Sequence, residues 1–158
     1  MKLFPSDEFR VELKNDSQIA MAKLKSNTKL TKSLVSKYGV KEDFIGQVDN
    51  NGFKVILSLR GVGAFCVLTG QFQNKNGTLK IHVHKVFRVL ITILFTFPFI
   101  GFGIVASQNG LQEAVELLIP LILLLLFTRF VLLGITYKVI SNMGLKRLSE
   151  TIEITKLK

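Results

Sequence analysis

Chemistry in this chain would have to come from a short set of side chains. His82 and His84 stand two apart, a spacing that puts both on one side of a strand as some metal sites require, but the sequence assigns them no carboxylate or cysteine partner. A solvated strand face is the reading they support, with a pH-sensitive contact near a membrane as the alternative. Cys66 is the only cysteine, so no intramolecular disulfide can form, which suits a reducing compartment. Within Ala64-Phe65-Cys66-Val67-Leu68 it reads as a small core hydrophobe, because nothing nearby supplies a base or lowers its pKa. Lys54 and Arg60, with Lys75 and Lys80 on the next hairpin, could hold phosphate groups, and Phe53 or Phe65 could stack on a base if the core does not claim them. The chain has no phosphate-loop pattern, serine-nucleophile elbow, zinc-protease helix motif or paired cysteines, and Gly61-Val62-Gly63 is too short for a dinucleotide fingerprint. An enzyme is not expected, nor a metal or a cofactor.

The remaining side chain of interest, Arg129, sits in an apolar run. Residues 89–112 carry no charge, and residues 89–137 carry only Glu113, Glu116 and Arg129. The first run, VLITILFTFPFIGFGIVAS, is long enough at about 1.5 Å per residue to cross roughly 30 Å of hydrocarbon, and the second, LLIPLILLLLFTRFVLLGITY, is longer still. Pro98 kinks the first. Neither run is N-terminal, and residues 1–40 show no apolar core followed by a small-residue cleavage site, so both are expected to stay in the mature protein. An arginine at the centre of a spanning helix costs at least about 2.5–3.5 kcal/mol. Arg129 must therefore snorkel toward headgroups past Tyr137, or face an oligomer interface or pore beside Thr128 and Thr136.

These runs define the organisation: a basic, cytosolic, β-rich domain over residues 1–86, a two-helix transmembrane hairpin over 87–137 with spans at about 87–107 and 115–137, and a basic cytosolic tail over 138–158. The mean hydropathy of +0.39 agrees with contact to lipid. The connection has no Lys or Arg, whereas 15 basic residues precede the first span and five follow the second. The positive-inside rule then places both termini in the cytoplasm and the hairpin tip outside the inner membrane. Ser107 or Asn109 can cap the second helix, with Glu113 and Glu116 in its first turns.

In the first domain, Phe9, Val11 and Leu13 alternate with charges as a half-buried strand does. Asn15-Asp16-Ser17 then offers an N-cap for a short helix containing Ile19, Ala20, Met21, Ala22 and Leu24. Residues 29–38 are open to helix or loop, since Leu30, Leu34 and Tyr38 have helical spacing but follow the polar Ser26-Asn27-Thr28. From Phe44 a strand meander begins. Asp49-Asn50-Asn51-Gly52 and Asn74-Lys75-Asn76-Gly77 are its turns, and at least four strands are expected, covered by the short helix with help from the membrane surface or a second subunit. The fold class is α+β: an antiparallel meander with a short helix, followed by a transmembrane hairpin.

Residues 1–88 hold 15 Lys and Arg against seven Asp and Glu, a net charge of +8. Such a surface attracts acidic lipid headgroups, at about 1 kcal/mol per basic residue near the membrane, or an anionic ligand such as a nucleotide. Long nucleic acid is not expected, because the basic residues are dispersed and no recognised motif accompanies them.

The segments FIGQVDNNGFKVILSL and GQFQNKNGTLKIHV, followed by two spans and a basic tail, resemble small bacterial membrane proteins and the two-transmembrane-β effectors of anti-phage defence, including those of the Panoptes type. That resemblance implies a cytosolic β domain that senses a cyclic oligonucleotide and a hairpin that disrupts the inner membrane. A homo-oligomer is expected on separate grounds, because Arg129, Pro98, Gly101, Gly103 and Gly134 suit protein contacts better than lipid contacts. In a related class the spans precede the β domain, so ligand residues do not carry over from it. A membrane-anchored scaffold without a small ligand is the alternative that the same elements allow.

Overall fold

A computed structural model describes residues 4–35, 41–59 and 62–157. The chain is α+β, with an antiparallel-rich sheet followed by two long apolar helices. It divides into two compact units, one of Met1–His84 with Tyr137–Lys158 and the other of Lys85–Thr136.

In the first unit, strands β1 (Ser6–Leu13), β2 (Thr28–Leu30), β3 (Phe44–Val48), β4 (Gly52–Leu57), β5 (Cys66–Gln73), β6 (Asn76–Val83) and β7 (Ile154–Leu157) form one sheet among the described residues. Its order is β2-β3-β4-β5-β6-β1-β7, antiparallel throughout except for the parallel β2–β3 pair. The two turn segments do what their chemistry allows. Asp49 donates its backbone N–H to Gly52 O at 2.8 Å in the β3–β4 turn, and Asn74 takes φ 55° in the β5–β6 turn, a conformation that asparagine tolerates. Helix α1 (Ser17–Ser26) begins at Asp16, whose carboxylate accepts from the Ser17 N–H at 2.7 Å. Of the segment open to helix or loop, Lys29 and Leu30 belong to β2, while residues 36–40 lie outside the described ones.

Opposed residues of an antiparallel pair share a face. The registers therefore assign Val11, Leu79, Leu68, Val55, Leu57 and Phe44 to one face, and all of them are buried. Its cover includes a segment that the sequence reading set apart. Residues 138–157 are not a tail: Thr136–Ile152 is a helix and Ile154–Leu157 is β7. This helix buries Tyr137, Ile140, Ser141, Gly144, Leu148 and Ile152, which recur every three or four residues along one side. Gly144 sets the approach, since a Cβ there would lie 3.3 Å from the Leu68 methyls and 3.4 Å from a Leu57 methyl. Tyr137 donates its hydroxyl toward Asp7 Oδ2 and Ile81 O, each at 3.1 Å, and Arg147 pairs with Asp43 at 3.0 Å. The charges of this segment conceal an apolar side that packs on Leu57 and Leu68, adding to the cover from α1, whose buried apolar residues are Ala20, Met21 and Leu24. Cys66 is fully buried on β5, and its thiol is pushed up to about 12, first by burial and then by the charge of Asp7.

In the second unit, α2 (Lys85–Asn109) contains Pro98 and runs through Ser107, whose hydroxyl donates to Ile104 O at 2.8 Å. Ser107 therefore does not cap the next helix. That position falls to Gly110, at φ 90° and with no side-chain cap. After it come α3 (Leu111–Glu116), α4 (Leu118–Phe127) and a π-helical stretch, Thr128–Ile135, which leads into α5 (Thr136–Ile152). Lys85–Gln108 and Ala114–Ile152 are long and apolar enough to cross a membrane, and only 6% and 11% of their most apolar windows are buried within the chain. Within those windows most side chains are left uncovered by the chain, in contrast to the apolar side of α5, which packs on the sheet. Arg129 is half-buried in the π-helical stretch, next to the fully buried Thr128.

Candidate ligand-binding face

The second face of the sheet changes character along the strands. At one end Ile45, Ile56 and Val67 form a buried cluster, packed by Leu34 and Ala64. Moving two residues along each strand, the next row reads Gln47, Lys54, Thr69, Lys80 and Glu8 across β3, β4, β5, β6 and β1. All five are exposed except the half-buried Thr69. The following row is Gly52, Gln71, Thr78 and Arg10. The alternation of the strands thus makes one face apolar and covered, and leaves most of the other polar and open.

Two of the residues proposed from sequence meet here. Lys54 and Lys80 flank Thr69 on alternate strands, so their backbones stand about 9–10 Å apart. Lys80 lies 3.8 Å from Glu8, with both side chains more than half exposed, an ion pair worth at most about 1 kcal/mol. Lys75 is not part of this row: it sits in the β5–β6 turn, where its carbonyl accepts from the Leu13 N–H at 2.8 Å. Arg60 lies outside the described residues. Phe53 and Phe65 are only 4% exposed, and Phe53 stacks on Phe72 with ring centroids 6.1 Å apart. The core has claimed both, so neither is available for a base. His82 follows Lys80 on β6 but lies, half-buried, opposite Val67 in the row of the buried Ile45, Ile56 and Val67 cluster rather than in the open rows. Among the described residues no group of three His, Cys, Asp or Glu could hold a metal ion.

Sequence reasoning missed the concave part of this face. Beside the second row, between the β3–β4 turn, the β5–β6 turn and the β1–β7 edge, is an open hollow of about 980 Å³. That is the size of a small-molecule site. Arg10 and Lys156 bring positive charge to it, Glu12 and Asp49 negative charge, and Asn51, Gln71 and Asn76 among other carboxamides line it. Lys156 pairs with Glu12 at 3.3 Å, which leaves Arg10 as the cation there without an ion pair among the described residues. The carboxamides each present a donor beside an acceptor, the pattern that reads the edge of a heterocycle or a sugar hydroxyl, and Arg10 suits a phosphate or carboxylate. Strand parity was available to find Gln71, Thr78 and Arg10. The pairing of β7 with β1 was not, because it joins the two ends of the chain.

No protein-family model, curated protein or solved structure matches this chain.

Proposed function

We propose that this is a two-span protein of the bacterial inner membrane, with both termini cytoplasmic, whose sheet unit binds a cyclic oligonucleotide and thereby controls a homo-oligomeric hairpin as an effector of anti-phage defence. The observation that carries the proposal is the path of the chain. It leaves the sheet unit at His84, one residue after β6, and re-enters it at Tyr137 within a continuous helix. Both ends of the hairpin are thus covalently continuous with the sheet unit, with a single residue between β6 and α2 and none between the second apolar run and α5. Membrane insertion is supported by two long, apolar, uncovered helices and by basic residues on both flanks with none in the connection. The ligand class is supported by the basic sheet unit and its polar open face, and the defence role by the resemblance of its segments.

The test has two arms on the full chain. Calorimetry in detergent micelles is expected to show micromolar binding of a cyclic di- or trinucleotide that weakens with salt. Cells expressing the chain alone are expected to lose membrane potential, as a voltage-sensitive dye would report. If no such nucleotide binds and the potential is unchanged, the effector proposal fails and the anchored scaffold takes its place.

A further inference from the structure

Strand β7 is short and lightly held. Three of its four residues are exposed, and it pairs with β1 over three residue pairs, with a register shift between Glu12 and Leu13. It follows Glu153, a non-glycine residue at φ 55° that links it to α5. The side-chain links from β7 itself converge on one residue of β1: Thr155 Oγ1 donates to Glu12 O at 2.9 Å, and Lys156 pairs with the Glu12 carboxylate at 3.3 Å. Lys156 lies opposite Glu12, and Arg10 is the next residue of β1 on the same face. Diagonal neighbours of this kind have backbones about 7–8 Å apart, within reach of two long side chains. Both Arg10 and Lys156 line the hollow.

We propose that the hollow binds a nucleotide through a phosphate that bridges Arg10 on β1 and Lys156 on β7, so that the ligand staples the C-terminal strand to the sheet. This rests on the ligand reading given above and adds its site and its mechanical effect. The ammonium of Lys156 has three donors and serves Glu12 and a phosphate together, while the guanidinium of Arg10 presents a fork that matches phosphate. The carboxamides of Asn51, Gln71 and Asn76 distinguish a nucleotide from a bare anion by pairing donor and acceptor with a base edge. Four charges of the hollow, from Arg10, Lys156, Glu12 and Asp49, sum to zero, which favours a ligand with one or two phosphates over a polyanion. Because β7 follows α5, which continues the second apolar helix, stapling β7 fixes the last link between that helix and the sheet.

Hydrogen exchange on the full chain in micelles tests this with four probes: cyclic di-AMP, cyclic di-GMP, AMP and inorganic phosphate. A bound nucleotide is expected to slow exchange of the protected amides of Ile154–Leu157, by about 100-fold at a concentration 100 times its Kd when opening of the strand releases the ligand. Arg10→Gln and Lys156→Gln should weaken binding about tenfold or more and remove the slowing, whereas Lys25→Gln, exposed on α1 and not lining the hollow, should leave both, with circular dichroism confirming the fold of each variant. A nucleotide that binds wild type and Arg10→Gln equally, or that binds without slowing the strand, overturns the staple and leaves the ligand reading standing. Phosphate acting as strongly as the nucleotides overturns the nucleotide class. If none of the four binds, site and staple are both overturned for want of a ligand.

Discussion

If α5 completes the core, Leu148→Ala should destabilise the sheet unit. Leu148 is fully buried on the side of α5 that carries Gly144 and Ile152. Truncating such a leucine removes its apolar contacts and leaves a cavity, at a cost of about 2–5 kcal/mol. With a urea dependence of about 1–3 kcal/mol per molar, a loss of about 3 kcal/mol lowers the unfolding midpoint by about 1–3 M. Cys66 provides the assay, because it lies fully buried in the same sheet with its thiol pushed up to about 12. At pH 8 only about one native thiol in ten thousand is a thiolate, so a brief pulse of a thiol reagent labels only unfolded chains. The full chain in micelles would be pulsed across a urea series, with Lys146→Ala, exposed on the same helix, as control and expected within about 0.5 kcal/mol of wild type. Equal midpoints for Leu148→Ala and Lys146→Ala would refute the assignment of α5 to the core.

Three further outcomes follow from particular contacts. A Cβ on Gly70 would stand 2.4 Å from the ring of Phe53, so Gly70→Ala should cost about 1–3 kcal/mol in the same assay, and a neutral result would contradict the packing of the stacked pair. The Lys23 hydrogen bond and then its charge hold the Glu153 carboxyl below the usual glutamate value, so the carboxylate stabilises the fold above about pH 4.3 and that contribution is lost as pH falls through the depressed value. Protection of β7 amides should fall over that acid range in wild type but not in Glu153→Gln, and parallel curves would count against the contact. In native membranes crosslinking should capture oligomers, and Arg129→Leu should reduce them; a protein that stays monomeric, with Arg129→Leu changing neither stability nor activity, would leave snorkelling as the role of Arg129.

What could be read from the sequence divides by the range of the interaction. The alternation of Phe9, Val11 and Leu13, the Asp16 cap, the two turns rich in asparagine and the long apolar runs are local patterns, and each recurs in the structure as strand, helix, hairpin or long helix. Residues 138–158 looked like a tail because their charge dominates, yet Tyr137, Ile140, Gly144, Leu148 and Ile152 carry a helical period that continues straight out of the leucine-rich run. The small residues Ser141 and Gly144 on that side gave no hydrophobic signal although close packing needs them. Lys54 and Lys80 share a face by parity once the hairpins are known, whereas Arg10 and Lys156 come together only through pairing of the chain's two ends. Phe53 could not be assigned to core or surface until its partner Phe72, across the β4–β5 pair, was known.

The most direct test of the whole account is a pair of alkaline phosphatase fusions, one after Lys158 and one at Asn109. A membrane hairpin whose two ends return to one cytoplasmic sheet unit predicts an inactive enzyme at Lys158 and an active one at Asn109. Activity at Lys158, or inactivity at both sites in a protein recovered from the soluble fraction, would contradict it.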